Sequence, residues 1–221
     1  MNRSARLVAA TLCSYLLGSV QSADIAARLA ARANGSGPKD LRAHGTGNPG
    51  GLNAAKVLGT RWGVAVIAAD IAKGAVASAL GRRLAGDGGA YAAGTAAVVG
   101  HCFPVGTGFR GGKGIATSAG SAAICFPAYL PVDIAVAGAT LRLSRGSANR
   151  AAYVSSSVFF LASLFWWRDG RWNLWGPTAS WGLPLYAALT GAIISWRFFS
   201  APMQPEPTPA AVADVSEVEA A

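Results

Sequence analysis

The sequence predicts an all-α polytopic membrane protein of about seven transmembrane helices with polar, glycine-rich loops. Three observations point there. Apolar residue types make up 52% of the 221 residues and charged types only 13%, against about 25% in soluble domains. The apolar residues gather into runs close to the roughly 20 that a helix needs to cross a bilayer. Between some of these runs lie segments dense in glycine, asparagine and single cations. The length suits one domain, residues 1–200. Residues 201–221 are acidic, Pro-rich and poor in large apolar side chains, so they are expected to be a disordered tail.

Taken in order, the candidate spans are 5–31, 57–82, 88–106, 112–126, 127–143, 150–167 and 179–199. The first opens like a signal peptide, "MNRSAR" before "LVAATLCSYLLGSV", but its helical pattern continues through "DIAARLAARA", which favours a retained span. The second has small residues in small-xxx-small spacing, Gly59 with Gly63 and Gly74 with Ser78, which lets helices approach closely. The fourth and fifth are short and meet at Pro127. One kinked span or a re-entrant pair is the alternative, so the range is five to seven. Trp166, Trp167, Trp172, Trp175 and Trp181 bracket the loop before the last span and read as an interfacial aromatic belt.

The formal net charge of +9 is spread singly between apolar runs, which excludes a nucleic-acid-binding face and fits basic membrane loops or an anionic substrate. The loops after spans one, three and five, with the C-terminal end, carry ten cations: Arg32, Lys39, Arg42, Lys56, Arg110, Lys113, Arg142, Arg145, Arg150 and Arg197. The other side carries six, so the ten-charge side is expected to be cytoplasmic and the tail with it. Cys13, Cys102 and Cys125 are odd in number and lack CxxC spacing, so they read as small buried hydrophobes.

Four stretches carry chemistry. "DLRAHGTGNPGGLNAAK" (40–56) has glycines that uncover backbone N–H groups, donors on Thr46, Asn48 and Asn53, and cations Arg42 and Lys56. It reads as an anion nest or as a solvated turn. "DIAKG" puts Asp70 and Lys73 on one face of an apolar helix, where charges mark either a structural pair or a site. "GHCFPVGTGFRGGKGIATSAG" (100–120) places His101 before a second glycine-cation loop that runs into a helix N-terminus. Lys113 is followed by Gly114 and not by Ser or Thr, so it is no Walker A loop and ATP hydrolysis is excluded. "NRAAYVSSSVFF" puts Ser155, Ser156 and Ser157 at the start of the sixth span. All three loop motifs fall on one face, which suggests a single site for a phosphorylated substrate beside an apolar bundle that admits an acyl chain.

These same residues resemble the acyl-phosphate-dependent glycerol-3-phosphate acyltransferases (the PlsY type), small bacterial integral membrane enzymes. The likeness covers about residues 14–160. "DLRAHGTGNPGGLNAAKVLG" resembles the family pattern DxRxxGSGNxGATNxxRxxG, "DIAKG" and "GHCFPVGTGFRGGKGIAT" match the next blocks, and "YVSSSV" resembles the third motif. The resemblance implies acyl transfer from acyl phosphate to the 1-hydroxyl of glycerol-3-phosphate at the cytoplasmic face of the bacterial plasma membrane, with no cofactor, metal or CoA. It makes acyl phosphate, glycerol-3-phosphate and the bilayer the expected partners. By position, Thr46, Ser155 and His101 are the catalytic candidates. Arg42, Gly47, Asn48, Gly50, Asn53, Lys56, Gly111, Gly112 and Lys113 are the candidates for substrate binding.

Thr46 and Ser155 would orient the attacking hydroxyl or stabilise the oxyanion, and the proton goes to His101 or to a substrate phosphate. Several positions depart from the pattern: Thr46 for Ser, Leu52 for Thr, Lys56 for Arg, Ala152 for Arg, and "SWRFFSAPM" where the family has a His- and Asn-bearing stretch. They leave open a different polyol phosphate acceptor, or a non-catalytic organic-phosphate binder or transporter.

Overall fold

The computed structural model describes residues 2–200, and these form nine α-helices and one 3-10 turn, with no strand among the described residues. The expected tail, 201–221, lies outside them. In chain order α1 is Arg3–Ser19, α2 Ser22–Asn34, α3 Gly51–Leu58, α4 Thr60–Ala85 and α5 Asp87–Cys102. They are followed by α6 Ile115–Cys125, α7 Leu130–Leu143, α8 Ala148–Arg168 and α9 Gly182–Phe199. Among the described residues, α4 alone is long and apolar enough by length and composition to cross a bilayer, and α6 is apolar but shorter.

The continuous first span expected over 5–31 is instead two helices. Val20 and Gln21 turn extended, at ψ 115° and 99°. The cause is tertiary. Lys73 of α4 donates to the Val20 carbonyl at 2.9 Å, Ser22 Oγ donates to Asp70 at 2.8 Å, and Gln21 Nε2 donates to the His101 carbonyl at 3.4 Å. The fourth and fifth segments are two separate helices, α6 and α7, divided at Phe126–Tyr129 around Pro127.

Helix α4 is central, packing on α1, α3, α5 and α6, while α5 bridges α1, α6 and α9. Helix α8 pairs with α9, and α7 leans on α8 with little contact to α6. Glycine sets the closest crossings. A Cβ on Gly74 would strike the Thr117 carbonyl and one on Gly120 the Ile71 carbonyl, so α4 and α6 touch backbone to backbone. Gly59 does not share in this packing. It forms the α3–α4 turn at φ +99°, and Gly63 alone meets Gly51 and Ala55. Helix α1 turns Ala10, Ser14 and Gly18 inward, which leaves Cys13 exposed, contrary to expectation, while Cys102 and Cys125 are buried. At one end of the bundle Phe126, Tyr129, Phe159, Trp166 and Tyr186 form an aromatic core. The other end gathers loops 35–50 and 103–114 with the last turn of α9 and the first turns of α8.

Candidate functional site

The first loop is built around Asn53, in the opening turn of α3 and 1% exposed. Its Oδ1 accepts the Thr46 N–H at 2.8 Å, and its Nδ2 donates to the carbonyls of Leu41 at 2.9 Å and His44 at 3.0 Å. Gly45 and Gly47 take left-handed turns at φ +61° and +69°, and a Cβ on Gly45 would strike Asn53 itself. Asn53 therefore holds the loop from inside, and its amide is already fully engaged there.

Arg42 ties this loop to its surroundings. Its guanidinium forks onto Asp24 of α2 at 2.7 and 3.1 Å, and its Nε donates to the Arg110 carbonyl at 2.7 Å. The first loop is thus joined to the second, and the Arg42 charge is balanced by Asp24. The Arg42 backbone N–H also donates to Asp40, holding that carboxyl below the usual carboxylate range. Sequence reading missed Asp24, because it lies on α2 and Arg42 in the loop beyond that helix, so no periodicity within one element relates them.

The second loop lies against the end of α5. The Gly112 N–H donates to the His101 carbonyl at 3.1 Å. A Cβ on Gly111 would strike that carbonyl, and one on Gly112 would strike the His101 ring. From the far side Arg197 of α9 donates to the carbonyls of Gly111 at 2.6 Å and Gly112 at 3.1 Å. Lys113 is half-buried with its ammonium 4.2 Å from the centre of the Phe198 ring. Burial and the nearby Arg197 push its pKa down. Gly114, at φ +88°, turns the chain into α6. Arg197 entered the sequence reading only as a loop charge, since nothing in its spacing points to a clamp 85 residues away.

Some of the glycine N–H groups expected as donors are used inside the protein. The N–H groups of Gly47, Gly50 and Gly112 are engaged within the loops, by the carbonyls of His44, Asn48 and His101. The first turns of α3 and α6 have no side-chain cap, so their N–H groups remain available. Such ends attract anions. Thr46 is exposed and Asn48 half-buried. Lys56 is exposed on α3, a turn from Leu52, which is 79% exposed.

His101 does not occupy the open face expected of a general base. It is 4% exposed beneath the second loop, with Nδ1 3.6 Å from Asp70 and no hydrogen-bond partner on that nitrogen. Its ring supports Gly112 from below. Ser155 donates to Asp133 of α7 at 2.7 Å, a partner the sequence reading also missed. One turn before Ser155, Ala152 packs on Ile194 and Phe198, the ring beneath Lys113. The structure therefore joins loop to loop through Arg42, the second loop to α9 through Arg197, and α8 to both through Phe198.

Comparison with known proteins identifies related chains and a similar fold. The family model for glycerol-3-phosphate acyltransferase matches residues 8–202. A glycerol-3-phosphate acyltransferase of Symbiobacterium thermophilum is 38% identical over 71% of this chain and 77% of its own. One from Thermoanaerobacter pseudethanolicus is 34% identical over 73% and 78%. Among solved structures, PlsY, an integral membrane glycerol 3-phosphate acyltransferase in its glycerol 3-phosphate form, superposes with a TM-score of 0.69 at 29% identity, covering 86% of this chain and 87% of that one. Its lysophosphatidic acid form gives a TM-score of 0.68 at 27% identity, with the same coverage.

Proposed function

The chain belongs to the glycerol-3-phosphate acyltransferase family, and we propose that it moves an acyl group from acyl phosphate to the 1-hydroxyl of glycerol-3-phosphate. It is a membrane acyltransferase of phospholipid biosynthesis that acylates glycerol-3-phosphate. The acyl phosphate donor and the roles given below to individual residues are our reading. One observation carries it: Arg42 joins two glycine loops beside the uncapped N-termini of α3 and α6, with Lys113 three residues from the junction.

An acyl phosphate is already activated, so the protein must supply chiefly alignment and charge neutralisation. Lys113, Lys56 and the two helix N-termini hold the substrate phosphates. Thr46 and Asn48, with no hydrogen bond from either side chain among the described residues, orient the acceptor from the first loop. Arg42, Asn53, Arg197 and His101 keep the loops in place. Lys56 offers a point charge where the family pattern has an arginine fork, which loosens orientation more than attraction. We place α1 with α2, then α4 to α9, as seven crossing segments, with the site on the cytoplasmic side of the bacterial plasma membrane, where the greater share of loop cations lies.

The test is turnover of labelled glycerol-3-phosphate by the purified protein in micelles, with palmitoyl phosphate or palmitoyl-CoA as donor. Lysophosphatidate forms with palmitoyl phosphate only. Product from the CoA ester alone overturns the donor, and no product from either overturns the function. Lys113→Ala and Lys56→Ala each suppress turnover; full activity in both would remove these residues from the site.

A further inference from the structure

Arg42, Lys113 and Arg197 gather at the loop end of the bundle, and their charges are held in different ways. Arg42 is forked onto Asp24 and also reaches Asp40. No carboxylate pairs with Lys113 or Arg197 among the described residues. Each lies instead over a ring: the Lys113 ammonium is 4.2 Å from the centre of Phe198, and the Arg197 guanidinium is 5.5 Å from that of Phe103. Arg197 also gives its donors to the Gly111 and Gly112 carbonyls. For the Lys113 ammonium the ring is the contact that the described residues supply.

Helix packing fixes that ring. On α9 Gly191, Ile194 and Phe198 share one face, at i, i+3 and i+7. A Cβ on Gly191 would lie 3.2 Å from that of Ser156, so α8 comes close there. One turn along α8, Ala152 packs on Ile194 and Phe198, and all three are more than nine-tenths buried. A Cβ on Gly114 would lie 3.4 Å from Ile194, so the second loop runs over the same face. The ring is therefore set by α8 and α9, and Lys113 is laid upon it.

We infer that Phe198 is a positioning residue for Lys113, whose ring holds the ammonium in place without neutralising it. The inference rests on the reading that Lys113 holds a substrate phosphate. A half-buried ammonium has lost part of its hydration and needs a replacement. A carboxylate in contact would supply it, but would also cancel the charge and compete with the phosphate. The face of an aromatic ring attracts a cation through its quadrupole and carries no net charge. The ring covers one side of the ammonium, which has three donors, and the others stay free for phosphate oxygens. Ala152 and Phe198 both lie where the chain departs from the family pattern, and a longer side chain at 152 would meet the ring.

The test is calorimetric binding of glycerol-3-phosphate to the purified full chain in micelles, which needs no turnover. Phe198→Leu, apolar but without a ring, weakens binding by about tenfold. Phe198→Tyr, which keeps a ring, loses at most about twofold. Fluorinated phenylalanines at 198 drain the ring face with little change of shape. Kd therefore rises with each added fluorine while the melting temperature stays level, which packing alone would not produce. In the palmitoyl phosphate assay KM for glycerol-3-phosphate rises with Kd, and kcat changes by less than about twofold. In Lys113→Met, which binds more weakly, the number of fluorines no longer matters. The fluorinated series carries the test if Phe198→Leu does not fold. Equal affinity across that series, or the same trend in Lys113→Met, overturns the inference. A wild-type protein that binds glycerol-3-phosphate but transfers no acyl group fails the acyltransferase reading alone, and one that does not bind it fails both.

Discussion

Replacing Asn53 by alanine separates a scaffold from a ligand. The side chain makes three hydrogen bonds, at 2.8, 2.9 and 3.0 Å, all to backbone of the first loop. At about 1 kcal/mol net each, Asn53→Ala removes about 3 kcal/mol from the folded loop, roughly a hundredfold in its opening equilibrium at 1.4 kcal/mol per decade. The Leu41 residue is fully buried, so water does not readily replace the bond to its carbonyl. Hydrogen exchange at the Thr46 amide should speed up by about that factor, and kcat/KM for glycerol-3-phosphate should fall with it. Asn53→Asp should be at least as damaging, because it keeps the acceptor for Thr46 and turns a carboxylate toward two carbonyls. A raised KM with Thr46 exchange unchanged would refute the scaffold role and make Asn53 a direct ligand.

Three further outcomes follow from the same geometry. Gly120→Ala should separate α4 from α6 and lower the melting temperature, since the added methyl meets the Ile71 backbone and not a side chain that can move; an unchanged melt would deny that contact. Arg197→Lys should lower kcat/KM by about tenfold, because one ammonium cannot hold both the Gly111 and Gly112 carbonyls as the guanidinium does, and a variant with full activity would show that the clamp is dispensable. Burial and Arg197 disfavour the charged form of Lys113, so its hold on phosphate is present below its lowered pKa and lost as pH rises through it. KM for glycerol-3-phosphate should therefore rise at a lower pH than for an ordinary lysine, near 10.4. In Lys113→Arg that rise should move up; an alkaline limb unmoved by Lys113→Arg would assign it elsewhere.

The helices and the loops of the site were legible because each leaves a local mark. Apolar runs mark α4 to α9, and glycine with cations marks residues 44–56 and 106–114. Which atoms of those loops remain open to a ligand was not legible. A glycine N–H in sequence is only a potential donor, and His44, Asn48 and His101 engage three of them through contacts set by the folded loops. Asn53 looked like a ligand for the same reason: an amide in a polar loop reads as a donor until its partners are known. Asp24, Asp133 and Arg197 act across tens of residues, on helix faces whose pattern only packing defines.

The break in the first span settles what the sequence left open about Asp70 and Lys73. Both lie about 15 to 20 Å along α4, and both are nearly fully buried. An ion pair at that depth holds only if its remaining donors and acceptors are met. A continuous helix over 5–31 would tie the Val20 carbonyl into its own ladder. Opening at Val20–Gln21 presents that carbonyl to Lys73 and brings Ser22 Oγ to Asp70, so the 2.8 Å pair is closed by a bond on each side. The pair is thus structural, and the break is its counterpart. Removing one charge strands the other: Asp70→Asn or Lys73→Met should each cost about 3–5 kcal/mol. The double variant leaves no uncompensated charge and should cost less than the sum by several kcal/mol. Chemical unfolding of all four proteins in micelles measures the cycle, and additive losses would show that Asp70 and Lys73 do not act as a pair.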